Sequence, residues 1–212
     1  MKNITIIGAG YVGLVTGAGM SEFGNKVICT DIDTKKIEEL NAGLIPIYEP
    51  GLEEVIKRNF KNNRLLFSSD IEASIKASEV VVIAVGTPQG KNGMADLSFV
   101  DSVVDSILSS LNNYKVICTK STVPIGTGKD IIKKINKNIQ DRGLFDYVSN
   151  PEFLREGSAI KDFLWPDRVI IGTDSDKAYK IMCDIYRPLY INRNPITHTS
   201  VETAEMIKYA SN

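Results

Sequence analysis

The run Val80-Val81-Val82-Ile83-Ala84-Val85 constrains the fold more than any other stretch of the sequence. It is apolar at every position and lacks the in/out alternation of a sheet with one wet face, so a strand built from it must be covered on both sides. Its place is the centre of a sheet held between layers of helix. β-rich runs recur along the chain, and strands are expected at 4–7, 26–30, 65–67, 79–85, 115–119, 146–149, 168–171 and 196–198. Stretches of helical period stand between them, with helices expected at 11–22, 34–42, 52–58, 71–77, 98–111, 129–140 and 177–187. Such alternation is the signature of an α/β fold with a mostly parallel sheet and crossover helices on both faces. No repeat, low-complexity tract or linker interrupts it.

Composition removes several function classes. The chain has 212 residues, 43% of them hydrophobic and 24% charged, enough apolar surface for a core and too much for disorder. Lys+Arg 25 against Asp+Glu 26 leaves a net charge of -1, without the basic footprint of a nucleic-acid binder. The apolar stretch before Gly8 is too short for a signal sequence or a membrane span; the expectation is a cytoplasmic protein with no membrane partner. Cys29, Cys118 and Cys183 form no closely spaced pair and His198 is the single histidine, a pattern that fits neither a disulfide framework nor a metal site. Cys29 and Cys118 fall in strand-like runs and read as small core residues.

The sharpest local motif is Gly8-Ala9-Gly10-Tyr11-Val12-Gly13. It follows the strand Ile4-Thr5-Ile6-Ile7 and opens a helix, the context in which such glycines bind a dinucleotide. Gly8 permits the tight turn, Gly10 lets the backbone approach a pyrophosphate, and Gly13 lets the helix pack on the strand, while the helix N-terminus faces the anion. The next strand ends at Asp31, where a carboxylate accepts hydrogen bonds from a ribose and repels a 2'-phosphate, so NAD is favoured over NADP. Lys36, on the following helix, either reaches the same ribose or is a solvated surface lysine. The fold class is therefore a Rossmann-type, doubly wound α/β sheet.

Further runs are more specific than the glycines: Tyr48-Glu49-Pro50-Gly51-Leu52, Gly86-Thr87-Pro88 with Gly93-Met94-Ala95-Asp96-Leu97, and Lys120-Ser121-Thr122-Val123-Pro124. They continue with Asn150-Pro151-Glu152-Phe153-Leu154-Arg155-Glu156-Gly157, Pro166-Asp167-Arg168-Val169-Ile170-Ile171-Gly172 and Ala204-Glu205-Met206-Ile207-Lys208. In this order the chain resembles the UDP-glucose/GDP-mannose dehydrogenase family, most closely its UDP-glucose 6-dehydrogenase branch. The resemblance implies NAD-dependent oxidation of the C6 alcohol of a sugar nucleotide to a carboxylate, through two hydride transfers and a cysteine thioester.

Carried over by residue, the resemblance makes Glu152 the carboxylate that activates water, with Thr122 helping to hold that water. Glu156 falls near the nicotinamide and the catalytic lysine. Lys208 and Asn212 match the family's lysine and asparagine, and their i, i+4 spacing puts both on one helix face, as two groups sharing one alkoxide need. Thr87 and Thr122, each beyond a strand's carboxyl end, fall where open α/β sheets bind ligands, and the family uses both around NAD. Tyr11 and Val12 join the glycines at the cofactor, and Phe153, Leu154 and Arg155 match the substrate-contacting loop.

The family's catalytic cysteine sits in a Gly-Gly-Ser-Cys-Phe run that this sequence does not contain. Residues 1–199 are expected as the NAD-binding domain and 200–212, capped by Ser200, as the start of a truncated central helix. The full-length enzyme is expected to dimerise through that helix, and the chain as given to be inactive alone. Two alternatives stay open: a fragment acting on GDP-mannose or a UDP-N-acetylhexosamine, and a non-catalytic NAD-binding module.

Overall fold

A computed structural model describes residues 1–90, 93–192 and 196–211, with the side chains of 142 and 190–192 left out of the description. One sheet of eight strands carries the molecule: β1 (Asn3–Ile7), β2 (Lys26–Thr30), β3 (Leu65–Ser68), β4 (Val80–Ile83), β5 (Lys115–Thr119), β6 (Phe145–Ser149), β7 (Val169–Gly172) and β8 (Ile196–Thr199). Their order is β3-β2-β1-β4-β5-β6-β7-β8, which begins with the 3-2-1-4-5-6 order of the doubly wound dinucleotide fold. Neighbours pair in parallel except β6 and β7, which meet antiparallel at Ser149 and Gly172.

The helices are α1 (Tyr11–Glu22), α2 (Thr34–Asn41), α3 (Leu52–Lys61), α4 (Ile71–Ala77), α5 (Ser98–Ser110), α6 (Thr127–Asn138), α7 (Ala159–Leu164), α8 (Asp176–Ile185) and α9 (Val201–Ser211). They divide the core between the two faces of the sheet. Val80 and Val82 pack with Ile4, Leu14 and Val116 on one face; Val81 and Ile83 pack with Val104, Ile107 and Ile117 on the other. The Val80–Ile83 run is thus a central strand buried on both sides. It leaves the sheet at Ile83, short of the expected Val85, because the chain turns outward where β1 and β4 diverge in connection and a crevice opens. Cys29 and Cys118 are fully buried, and burial pushes both thiols up to about 12.

The sequence pattern predicts no element over 159–164, and the chain forms α7 there. A helix this short lacks an intrinsic signal, and tertiary contact makes it: Phe163 packs so closely on α1 that a Cβ at Gly19 would lie 2.1 Å from its ring. Short turns of 3-10 helix at Arg142–Leu144 and Arg187–Asn192 were likewise not foreseen.

Candidate active site

The glycine turn shows three different reasons for glycine. Gly8 sits at φ +105°, and a Cβ there would lie 2.7 Å from the carbonyl of Ala84; at Gly13 it would lie 1.8 Å from the carbonyl of Gly8. Packing alone demands those two. A Cβ on Gly10 would meet nothing within 4 Å, so the protein's own packing leaves this glycine unexplained. Gly10 is exposed and caps α1 without a side-chain hydrogen bond, and the first turn carries no acid, so the positive end of the helix is not neutralised by a side chain of that turn. Open space at Gly10, a bare backbone and an unneutralised helix start together fit a pyrophosphate.

Asp31 stands beside this turn. Its Oδ2 accepts from the Ala9 N–H at 2.9 Å and from Lys36 Nζ at 2.9 Å, and its Oδ1 accepts from the Asp33 N–H at 3.0 Å. Burial works to raise its pKa, but the Asp33 N–H, Lys36 and the Ala9 N–H outweigh it and hold the carboxyl below its ordinary value. Asp31 is therefore ionised at neutral pH, which fits a ribose and opposes a 2'-phosphate. Lys36 serves here as its ion-pair partner.

At the carboxyl ends of β4 and β5 the two candidate threonines meet, the Thr87 hydroxyl donating to the Thr122 carbonyl at 2.7 Å. The Ser121 hydroxyl donates to the Val85 carbonyl at 2.6 Å. These bonds stitch together the loops that flank the crevice.

The loop after β6 and helix α9 supply the most charged feature. Lys208 Nζ lies 2.8 Å from Glu152 Oε1, with both side chains about nine-tenths buried, and Glu152 Oε2 accepts from the Leu154 N–H at 2.6 Å. The pair lies on a cavity of about 510 Å³ that Lys120, Phe153 and Trp165 also line. The Phe153 ring packs under the Arg168 guanidinium at 4.7 Å, with Lys208 Nζ at 5.7 Å. Arg155 turns outward to a bidentate pair with Asp162. Glu156 is exposed, and Val12 is half-buried in the first turn of α1. Burial, then the hydrogen bond to Glu49, pushes the Tyr11 phenol upward, and the carboxylates of Glu156 and Glu152 add to the shift; the glycine turn and the 152–156 segment thus share one electrostatic neighbourhood. Asn212 lies outside the described residues.

Several structural groups at the site escaped the sequence reading. Lys120 is buried, its Nζ within 3.4 Å of the Asn150 carbonyl, Asn150 Oδ1 and the Tyr186 hydroxyl, and burial lowers its pKa. Glu205 accepts from the N–H groups of Gly126 and Gly128 at 2.6 and 2.7 Å and so caps α6; burial raises its pKa against those bonds. The signal for Glu205 was periodicity: Val201, Ala204, Glu205 and Lys208 form the buried face of α9, and charges at core-facing positions call for partners.

The strand order, the turn and the acid at the end of β2 define a Rossmann-type dinucleotide-binding fold. Comparison with known proteins takes this further: residues 2–190 match the UDP-glucose/GDP-mannose dehydrogenase family, NAD binding domain. The chain is 50% identical over 212 residues to the UDP-glucose 6-dehydrogenase TuaD of Bacillus subtilis, covering 100% of this chain and 45% of the relative. It is 48% identical over 212 residues to the UDP-glucose 6-dehydrogenase of Rhizobium meliloti, covering 99% and 48%. Among solved structures, a UDP-glucose dehydrogenase from Pyrobaculum islandicum superposes with a TM-score of 0.93 at 35% identity, covering 100% of this chain and 49% of that one. A GDP-mannose dehydrogenase from Pseudomonas aeruginosa superposes with a TM-score of 0.93 at 36% identity, covering 98% and 48%. The chain belongs to the UDP-glucose/GDP-mannose dehydrogenase family, and its matched region is that family's NAD-binding domain. It spans about half the length of the curated relatives it matches. No helix among the described residues is long and apolar enough to cross a membrane.

Proposed function

We propose that this chain carries the cofactor site and the acid–base residues of an NAD-dependent dehydrogenase that oxidises UDP-glucose at C6 to UDP-glucuronate. The observation that carries the reading is the buried Glu152–Lys208 pair on a cavity lined by the segment after β6, at the same carboxyl end of the parallel strands as the glycine turn. Gly8, Gly10, Tyr11, Val12, Gly13, Asp31, Lys36, Thr87, Thr122 and Glu156 would hold NAD, which supplies the hydride acceptor when bound. Phe153, Leu154 and Arg155 contact the sugar nucleotide. Lys208, with Asn212, donates to the C6 oxygen as negative charge develops there, and Glu152 takes the proton of a water held by Thr122. A buried, oriented ion pair suits both tasks, since its partners are already desolvated and need no reorganisation at the moment of reaction.

The thiol for a thioester step is not found at this cavity. Cys29 and Cys118 lie in the core, and Cys183, half-buried on α8, is not among the residues that line the cavity. This supports residues 1–199 as the cofactor domain and the helix from 200 onward as the link to a thiol-bearing half. α9 exposes Met206 and Tyr209 outside its packed face, which supports pairing of two copies of the complete enzyme through this helix. Absorbance of NADH with the chain, NAD and UDP-glucose tests the reading, alongside NAD binding in the same sample. Binding without turnover is expected. Two NADH per sugar from this chain alone contradicts the assignment of the thiol to another segment.

A second reading, oxidation of GDP-mannose, is favoured by the equal structural likeness to the GDP-mannose dehydrogenase. Comparing the two sugar nucleotides in a chain extended to the length of its relatives separates them, and the curated relatives support UDP-glucose.

A further inference from the structure

Glu49 has no part in the roles assigned above, yet it is only 5% exposed. Its carboxylate is filled by neutral donors from distant parts of the chain. The Tyr11 hydroxyl donates to Oε2 at 2.7 Å, the Gly157 N–H to Oε2 at 2.9 Å, and the Ala159 N–H to Oε1 at 2.7 Å. Burial works to raise its pKa, and these donors overcome that and hold it below the ordinary value. The carboxylate stands on a firm base. The Glu49 carbonyl accepts from the Leu52 N–H at 3.0 Å, Leu52 is fully buried, and Gly51 takes the left-handed conformation, φ +81°, that starts α3.

The donors belong to two different functional segments. Tyr11 is the first residue of α1, at the glycine turn; Gly157 and Ala159 stand at the entry to α7, where the 151–158 segment ends. That segment has no regular structure of its own, and its position depends on how its ends are held. At the β6 end Asn150 is fixed by Lys120 and Tyr186. At the α7 end it is fixed by Glu49, and α7 in turn packs on α1 through Phe163 and Gly19. The far end of the segment therefore rides on the helix that starts the cofactor site.

We propose that Glu49 is a positioning residue that couples the two ligand sites: by joining Tyr11 to the amides of Gly157 and Ala159, it makes cofactor binding hold the sugar-nucleotide segment in place. This rests on the reading of 8–13 as the NAD turn and of 153–155 as the substrate contact. Ordering at one end lowers the cost of ordering the other, which is coupling without a large movement.

Amide hydrogen exchange on the 212-residue chain, with and without saturating NAD, tests it in the native chain, Glu49→Gln and Tyr11→Phe. Tyr11→Phe cuts the link but leaves both backbone bonds to Glu49, so it decides the matter even where Glu49→Gln fails to fold. In the native chain, NAD is expected to slow exchange over 151–164 by about fivefold or more. Measured at an NAD concentration that saturates each variant, whatever its affinity, Tyr11→Phe should lose that slowing. Glu49→Gln should also exchange the Gly157 and Ala159 amides about tenfold faster without NAD, as befits losing hydrogen bonds to a charged acceptor. NAD bound with no change over 151–164, or slowing that persists in both variants, overturns the coupling while the NAD reading stands. No NAD binding by the folded native chain overturns both.

Discussion

The glycine turn and the 151–164 segment line the same end of the sheet, but they are built by opposite means. The turn is fixed chiefly by backbone: Gly13 lies against the carbonyl of Gly8 within the β1–α1 unit, and Gly8 lies against the carbonyl of Ala84 just beyond the adjacent β4, so that no side chain fits at either. The later segment is made by partners far along the chain, Lys208 on Glu152, Glu49 on Ala159 and Phe163 on α1. An element fixed by close backbone contact is damaged chiefly by adding side-chain atoms to its own glycines. A segment held from a distance can be moved from several places, which suits a loop that must fit a substrate.

The sharpest way to break this contrast is Gly13→Ala. With the added carbon 1.8 Å from a backbone carbonyl, the turn must shift, and stability should fall by about 3 kcal/mol with loss of NAD binding. Thermal melting and calorimetry check both, and a fully stable variant contradicts the packing argument. Lys208→Met should cost about 3 kcal/mol by leaving Glu152 buried and uncompensated. Adding Glu152→Gln to it should restore much of the loss, and denaturant melts of the single and double variants test that recovery.

Asp31→Asn should cost about 1–2 kcal/mol at neutral pH, since the acceptor of charge-assisted bonds loses its charge. Because the folded carboxyl titrates below its unfolded value of about 3.9, its contribution is complete above that value. It disappears as the pH falls through the folded value, so the gap between native and variant should close below about pH 4. A gap that stays constant down to acid pH would show that the charge is irrelevant. The smallest effect is expected from Thr87→Val, about 1 kcal/mol for the lost bond to the Thr122 carbonyl. It should leave α1 untouched, and exchange confined to the Thr87 and Thr122 loops would sharpen the division between the two regions.

The same contrast explains what was legible in the sequence. The continuous apolar run declared a doubly covered central strand, and the spacing of glycines and acid declared the dinucleotide turn, because both signals act over a few residues. Helix α7 was illegible, since its causes lie at Glu49 and Gly19, far away in sequence. So was the end of β4 at Ile83, because Ala84 and Val85 are as apolar as the strand and only the diverging connections end it. Lys36 reads as a ribose contact or a surface charge; its helix is expected at 34–42 and starts at Thr34, but the pairing with Asp31 depends on how α2 sits against the end of β2. Glu152 and Lys208 were singled out by family resemblance, and their 2.8 Å pairing follows from α9 folding back on the sheet beside β6 and β7. The capping roles of Glu49 and Glu205 were hidden inside recognised runs, visible only once their partners were brought together.

The most direct test of the central claim is a calorimetric titration of this chain and of Gly10→Ala with NAD and NADP. The native chain is expected to bind NAD saturably and NADP at least about tenfold more weakly. Gly10→Ala should keep its stability to within about 1 kcal/mol and bind NAD much more weakly, because the added carbon occupies space that only the cofactor needs. A folded native chain that binds no NAD, or a Gly10→Ala chain that binds it as well as the native one, contradicts the claim.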